Sequence, residues 1–328
     1  MSENTPTFGS VCSAAETLKG HAIRTPLLES PALNEILGCR LFLKCEMLQK
    51  TGSFKFRGAY NAISKLTSPQ KEKGVFAYSS GNHAQGIALA AKMMGVKATI
   101  LMPEDTPEIK VANTKGYGAT VLSYDRYKGS REEIGDRITA EQQLTLIKPY
   151  DNVDVISGQG TVGLEIIAQL AELHLKADCI AAPCGGGGLL SGISLAVATD
   201  CPTTQLFAAE PENFDDATRS LAAGERVANT GNHKSICDAI MTPTPGEITF
   251  PILKEKRATG LVVSEKEVTE AIRTAFNYFK VVIEPGGAVA LAAYLSGKTD
   301  IKDKIVVAVA SGGNIDPTLF SKLLIPSE

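Results

Sequence analysis

Along the chain, short apolar runs rich in β-prone residues alternate with stretches whose apolar residues recur every three or four positions. The runs are "RLFLK", "GVFAYSS", "KATILMP", "ATVLSYD", "ADCIAAPC", "QLFAAEP" and "KIVVAVASGG". Each is followed by glycines, a proline or a capping residue, and most lead into a segment of helical period. That alternation predicts an α/β protein built on parallel sheets. In open sheets of this kind ligands bind at the carboxyl ends of the strands, so the strand-to-helix turns are where chemistry is expected. The pattern places a smaller βα unit at 74–150, inserted between 1–73 and 151–328, which together form a larger one.

The stretch "KTGSFKFRGAYNAI" opens a helix, with Ser53 as its expected N-cap and Ala59, Ile63 and Leu66 at helical spacing. Lys55 then falls in the first turn, where the positive end of the helix dipole opposes a free ammonium. Either the side chain runs past Phe54 and Phe56 into water, or its amine is engaged chemically.

Four further turns stand out. "SSGNHAQG" (79–86) crowds two hydroxyls, an amide, an imidazole and the N–H groups of a helix start into a few positions, which suits ordinary capping or an anionic oxygen. "CGGGGLLSG" (184–192) puts four successive glycines between an apolar run and a helix, at a large entropic cost. Such a turn lets backbone N–H groups approach a bulky anion such as phosphate; plain flexibility would not require four glycines there. It matches neither G-x-G-x-x-G with a downstream acid nor the P-loop, so a dinucleotide or ATP site is the weaker reading. "ASGGN" (310–314) ends an apolar run with a hydroxyl that either meets a ring nitrogen or satisfies its own turn. "AAEPENFDD" (208–216) gathers Glu210, Glu212, Asp215 and Asp216, which form a solvated loop or an oxygen shell for a hard cation.

Composition narrows the partners. A chain of 328 residues with 44% hydrophobic and 21% charged residues is an ordinary globular sequence, and its formal charge of −3 comes with no basic block. Nucleic acid and membrane surfaces are therefore excluded in favour of small metabolites. The polar start "MSENTPTFGS" does not read as a secretory signal, and no apolar run reaches the ~18 residues needed to cross a bilayer, so a cytoplasmic protein is expected. Seven cysteines without a C-x-x-C pair support neither zinc nor a disulfide framework.

Taken together, "SFKFRGA", "SSGNHAQG", "GQGTVGLEI" and "CGGGGLLSG", in this order, resemble the fold-type II pyridoxal phosphate enzymes, and within them the group of serine/threonine dehydratases, serine racemases and 3-hydroxyaspartate dehydratases. The resemblance spans the chain from "TPLLES" to "ASGGN". It implies a tryptophan synthase β-like architecture, two open twisted sheets flanked by helices, with 74–150 as a small mobile domain. It makes Lys55 the Schiff-base lysine beside Phe54, Asn82 the donor to the cofactor's 3′ oxygen, Gly185, Gly186, Gly187, Gly188 and Leu189 the phosphate cup, and Ser311 the partner of the pyridine nitrogen. Ser79, Ser80, Asn82 and His83 would hold the substrate carboxylate. The implied reaction is β-elimination from a β-hydroxy amino acid to a 2-oxo acid and ammonia, with Lys55 as base and Ser80 as an acid/base on the opposite face.

Within that group, consecutive Ser79 and Ser80 resemble the racemases and 3-hydroxyaspartate dehydratases, since threonine dehydratases read S-A-G-N-H. In "GSREE" the Ser130-to-Glu133 spacing is that of a capping box, and Arg131 matches an arginine over the active-site mouth, favouring a substrate with an extra acid group. The order of expectation is 3-hydroxyaspartate ahead of serine and threonine, with serine racemase as the alternative. β-Replacement, as in cysteine synthases, fits less well, because those relatives carry a threonine-rich loop where this chain has "SSGNH". The resemblance also implies a divalent cation (Mg, Ca or Mn) on Glu210, the carbonyl of Phe214 and Asp216, a homodimer, and no appended regulatory domain.

Overall fold

The computed structural model describes residues 5–79, 81–106, 108–125, 130–231 and 233–325, without the side chains of 109, 131 and 132. Among these residues ten strands form two sheets. They are β1 (Leu27–Glu29), β2 (Arg40–Cys45), β3 (Val75–Tyr78), β4 (Ala98–Pro103), β5 (Thr120–Tyr124), β6 (Thr145–Leu146), β7 (Cys179–Pro183), β8 (Gln205–Pro211), β9 (Thr259–Val263) and β10 (Ile305–Ala310). One sheet has the order β1-β2-β10-β7-β8-β9 and the other β5-β4-β3-β6. Every pairing is parallel except β1 with β2.

All seven apolar runs form strands. The three strands they do not include, β1, β6 and β9, lie at sheet edges. An edge strand has one neighbour and need not carry a continuous apolar run, which is why a pattern built on such runs passes over it.

The centre of the larger sheet shows why its strands read as unbroken apolar segments. On β10, Val306, Ala308 and Ala310 join one core while Val307 and Val309 join the core on the opposite face. β7 divides in the same way, Cys179 and Ala181 from Ile180 and Ala182. A third core encloses the smaller sheet together with the helix Lys55–Ser64.

The motif "GQGTVGLEI" acquires a packing role. It lies in the helix Val153–Glu172, wedged between the helices Lys55–Ser64 and Gly188–Asp200. A Cβ at Gly158 would sit 2.7 Å from the Gly58 Cα, and one at Gly192 2.5 Å from the Gly160 backbone nitrogen. Only glycine permits backbones to approach that closely. The wedge fixes Lys55 and the four-glycine turn relative to each other.

Beneath Lys55 is a buried ion cluster. Arg57 donates from Nε and Nη2 to Glu46 at 2.8 Å each, and from Nη1 and Nη2 to Glu165 at 2.6 and 2.9 Å. Lys44, fully buried on β2, donates to Glu165, Gln169 and the Thr25 carbonyl. Two cations thus face two anions. Burial acts to raise the Glu46 pKa, but the guanidinium outweighs it and holds the carboxyl below its ordinary value.

Candidate functional site

A cavity of about 190 Å³ opens where β3, β7 and β10 end, and all four turns except the acidic one contribute to its wall. Lys55 is the first residue of its helix and projects into this cavity. Its Nζ donates to the Pro149 carbonyl at 2.7 Å and lies 5.1 Å from the centre of the Phe54 ring. Desolvation lowers its pKa to about 8.

Ser53 is not the N-cap. Phe54 occupies that position, and Ser53 is extended (φ −164°, ψ 158°), pairing with Gly312 in an isolated bridge. The Phe54 N–H donates to the Ser311 carbonyl at 3.1 Å, so the helix start is set by docking onto the end of β10 rather than by a side-chain cap. The Ser53 hydroxyl is buried without a partner.

On the smaller sheet, β3 leads through Ser79 into the helix Asn82–Met93. Ser79 Oγ accepts from the Gly81 N–H at 3.3 Å, a local turn contact. Asn82 has both ends of its amide engaged: Nδ2 donates to Glu284 Oε1 at 2.5 Å, and Oδ1 accepts from Asn314 Nδ2 at 2.7 Å. The same Asn314 nitrogen donates to the Thr51 carbonyl at 2.8 Å. His83 Nε2 lies 2.8 Å from the Ile147 carbonyl, which can only accept, so Nε2 carries the proton and Nδ1 presents a lone pair. Burial, reinforced by the nearby Lys55 charge, lowers the His83 pKa to about 3 and keeps the ring neutral.

The glycine turn follows β7 and enters the helix Gly188–Asp200. A Cβ at Gly186 would overlap the Tyr150 ring, one at Gly188 would lie 3.0 Å from the Tyr150 Cα, and one at Gly185 3.2 Å from the Ile240 Cα. Gly187 adopts φ +88°, a conformation that disfavours a side chain. The turn is clamped from outside as well, because the Gly186 carbonyl accepts from Thr249 Oγ1 at 2.6 Å. Leu189 and Ser311 complete this part of the wall.

The acidic loop does not form a single cluster. Asp215 pairs with Arg219 at 3.1 Å and Glu212 is exposed. Glu210 is buried, accepting from the Ala217 and Thr218 N–H groups at 2.9 and 2.7 Å and from the Thr218 hydroxyl at 2.6 Å. Asp216 Oδ1 accepts from Asn229 at 2.7 Å while Oδ2 is buried without a partner. Burial pushes the two carboxyls up to about 8 and about 7 respectively. Phe214 sits between them on the turn, its N–H bonded to the Pro211 carbonyl. Among the described residues no group of three or more His, Cys, Asp or Glu is arranged to hold a metal ion.

Ser80 lies outside the described residues. Arg131 begins the helix Arg131–Gln142, and its side chain is likewise outside them. Next to it, the Ser130 hydroxyl accepts from the Glu133 N–H at 3.4 Å, one half of the expected capping box.

Sequence reasoning missed Glu284, Thr242, Lys110 and Asp238, all of which line the cavity. Glu284 left a readable trace. It occupies the N-cap position before Pro285 without a side-chain cap bond, although Ser, Thr, Asp or Asn is preferred there. The other three sit in segments of no distinctive spacing.

The chain is similar over nearly its whole length to proteins of known activity. A family profile described as "Pyridoxal-phosphate dependent enzyme" matches residues 18–312. The chain is 42% identical over 323 residues to L-threo-3-hydroxyaspartate ammonia-lyase of Saccharomyces cerevisiae, covering 98% of each, and 41% identical to serine racemase of Schizosaccharomyces pombe, covering 99% of each. Among solved structures, maize serine racemase superposes with a TM-score of 0.91 at 36% identity, with 97% of each chain covered. No helix among the described residues is long and apolar enough to cross a membrane.

Proposed function

Because this chain belongs to the family of pyridoxal-phosphate dependent enzymes, we propose that it is an ammonia-lyase of β-hydroxy amino acids, acting on 3-hydroxyaspartate ahead of serine and threonine. One observation carries the reading: a desolvated lysine, a four-glycine turn and a strand-end serine surround one cavity. Its relatives include L-threo-3-hydroxyaspartate and L-threonine ammonia-lyases that the chain matches over nearly its whole length.

The residues fit the cofactor. His83 Nδ1 and Thr242 Oγ1 belong to the cavity wall and are buried without partners, so the wall holds polar capacity that the protein alone does not satisfy. Lys55 would carry the cofactor beside Phe54, Asn82 would face its 3′ oxygen, Gly185 to Gly188 and Leu189 would take the phosphate, and Ser311 would meet the ring nitrogen. When bound, pyridoxal phosphate supplies an aldehyde for the substrate amine and a conjugated ring that draws electrons from the α carbon.

The chain's own groups do the rest. The backbone N–H groups at the start of the helix Asn82–Met93 have no intrahelical acceptors, so with the Ser79, Ser80 and Asn82 side chains they receive the substrate carboxylate. His83 contributes there through its main chain, since its ring is neutral. Lys55 Nζ, whose pKa burial lowers to about 8, takes the α proton in its neutral form. The Ser311 hydroxyl, unlike a carboxylate, does not enforce protonation of the ring nitrogen, which favours early loss of the β hydroxyl. To Arg131, the first residue of its helix, we assign a preference for an acidic substrate, which its guanidinium would pair bidentately.

Product assay tests the proposal: purified protein loaded with pyridoxal phosphate releases ammonia and a 2-oxo acid from at least one of the three substrates, and release from none of them refutes it. Serine racemase is the second reading, favoured by full-length relatives of that name. Ser80→Ala should abolish any D-serine formation while leaving measurable pyruvate release.

We also infer a divalent cation at Glu210, Phe214 and Asp216, supported by two inward carboxylates and the unpartnered Asp216 oxygen. Chelation should lower the melting temperature, and Glu210→Gln should remove that response. Residues 74–150, which contain the whole four-stranded sheet, are proposed to move as a unit, and the protein to be a cytoplasmic homodimer. Light scattering at a single-chain mass would refute the dimer.

A further inference from the structure

Lys110 and Asp238 form an ion pair at the cavity wall between parts of the chain 128 positions apart. Lys110 lies in the first turn of the helix Glu108–Gly116, which follows β4 of the smaller sheet. Asp238 opens the short turn Asp238–Ile240, which packs against Gly185 of the glycine turn and against Gly286. A cation in a first turn works against the helix dipole, so helix stability does not account for Lys110. Its side chain is 20% exposed and that of Asp238 50%. The cation is therefore the more sheltered partner, and the anion faces solvent.

The remaining charges sharpen its position. Among the described residues of the wall, Lys55 and Lys110 are the two with an ammonium. Glu284 is pushed up to about 8 by burial, with the Asp238 charge adding to the shift and Lys110 opposing it, so it is mostly neutral at pH 7. The His83 ring is neutral as well. With Lys55 given to the cofactor and the helix start at Asn82 to the α-carboxylate, Lys110 is the one remaining cation among the described residues of the wall, and so competes with Arg131 for a further anion.

We propose that Lys110 determines specificity for amino acids bearing a second carboxylate, which takes its ammonium from Asp238. The inference rests on the ammonia-lyase reading and names the residue that selects its dicarboxylate substrate. The exchange is favourable because a half-exposed aspartate gives up its partner and returns to water at small cost. A carboxylate inside the cavity is less screened and gains more from the same ammonium. A substrate such as serine has nothing to offer in exchange, and the ion pair persists.

The test uses the holoenzyme with two readouts, relative turnover of 3-hydroxyaspartate and serine, and the thermal shift given by malonate, which needs no turnover. Lys110→Met should lower kcat/KM for 3-hydroxyaspartate at least about tenfold more than for serine and weaken malonate binding by a similar factor. Lys110→Arg should restore most of both, and Asp238→Asn, by removing the competing carboxylate, should tighten malonate. Equal losses on both substrates with malonate binding intact, or discrimination that disappears with Arg131→Met but survives Lys110→Met, overturns the proposal. If no substrate releases ammonia while malonate binding still depends on Lys110, the activity reading fails and the recognition role stands. Serine turnover without any Lys110-dependent response to dicarboxylates gives the reverse.

Discussion

Glu284 Oε1 accepts the Nδ2 hydrogen of Asn82 at 2.5 Å, joining the N-termini of two helices at the cavity wall, 202 positions apart in sequence. A Cβ on Gly312 would collide with the same Glu284 carboxyl, so the strand-end turn "ASGGN" is shaped around it. With Asn314 holding the other end of the Asn82 amide, the asparagine is fixed in orientation before any ligand arrives.

This arrangement predicts a pH dependence of stability. The Glu284 pKa is raised to about 8 from an ordinary 4.5, so between those values the folded protein keeps a proton that the unfolded chain releases. Stability is therefore full below about 4.5 and falls as pH rises towards 8, by at most about 1.4 kcal/mol for each pH step of one. Glu284→Gln retains the oxygen that accepts from Asn82 but cannot ionise. Its melting temperature should vary less between pH 5 and 8 than that of the parent, and a parallel profile would contradict the assignment.

Lys55 should govern cofactor uptake. Only the neutral amine attacks an aldehyde, and with a pKa of about 8 it is mostly protonated at lower pH. The rate at which visible absorbance develops on mixing apoprotein with pyridoxal phosphate should rise about tenfold per pH unit below 8 and level off above it. Lys55→Ala should lack the absorbance and lose about a thousandfold or more in product formation. Borohydride reduction and peptide mapping should locate the adduct at Lys55.

At the glycine turn, Gly186→Ala places a methyl against the Tyr150 ring. Overpacking of this kind costs about 1–3 kcal/mol, and here it also displaces the backbone expected to receive the phosphate. Lower melting temperature and weaker cofactor retention should appear together. Adding Tyr150→Ala should recover part of the stability, which a purely conformational penalty at Gly186 would not allow.

Arg57→Met removes the guanidinium shared by Glu46 and Glu165. Glu46 is fully buried, and the Thr25 hydroxyl and the Lys44 charge would be left to compensate it. Breaking a buried pair from one side costs about 3–5 kcal/mol, measurable as a drop in the denaturant midpoint. Arg57→Lys should recover little, because a single ammonium cannot make the two bidentate contacts.

How far the sequence went follows from the range of the interactions involved. Strands such as β7 and β10 announce themselves because both faces are buried, and the four glycines because only they tolerate such close backbone approach. Lys55 was legible as an anomaly, a cation at the wrong end of a helix. These are local signals, written in neighbouring residues by sterics and the helix dipole.

What only the folded chain decided was which distant groups meet. Lys44 reads as the last residue of an apolar run, yet it is buried against Glu165. Ser53 has the composition of a cap, but pairing with Gly312 moves the cap to Phe54. The contacts of Glu284 with Asn82 and of Lys110 with Asp238 leave no periodicity, because their energy depends on the dielectric and geometry of a cavity that exists only once both sheets are assembled. Secondary structure and the misplaced cation at Lys55 were thus set along the chain; the protonation states and charge pairing around that lysine were set across it.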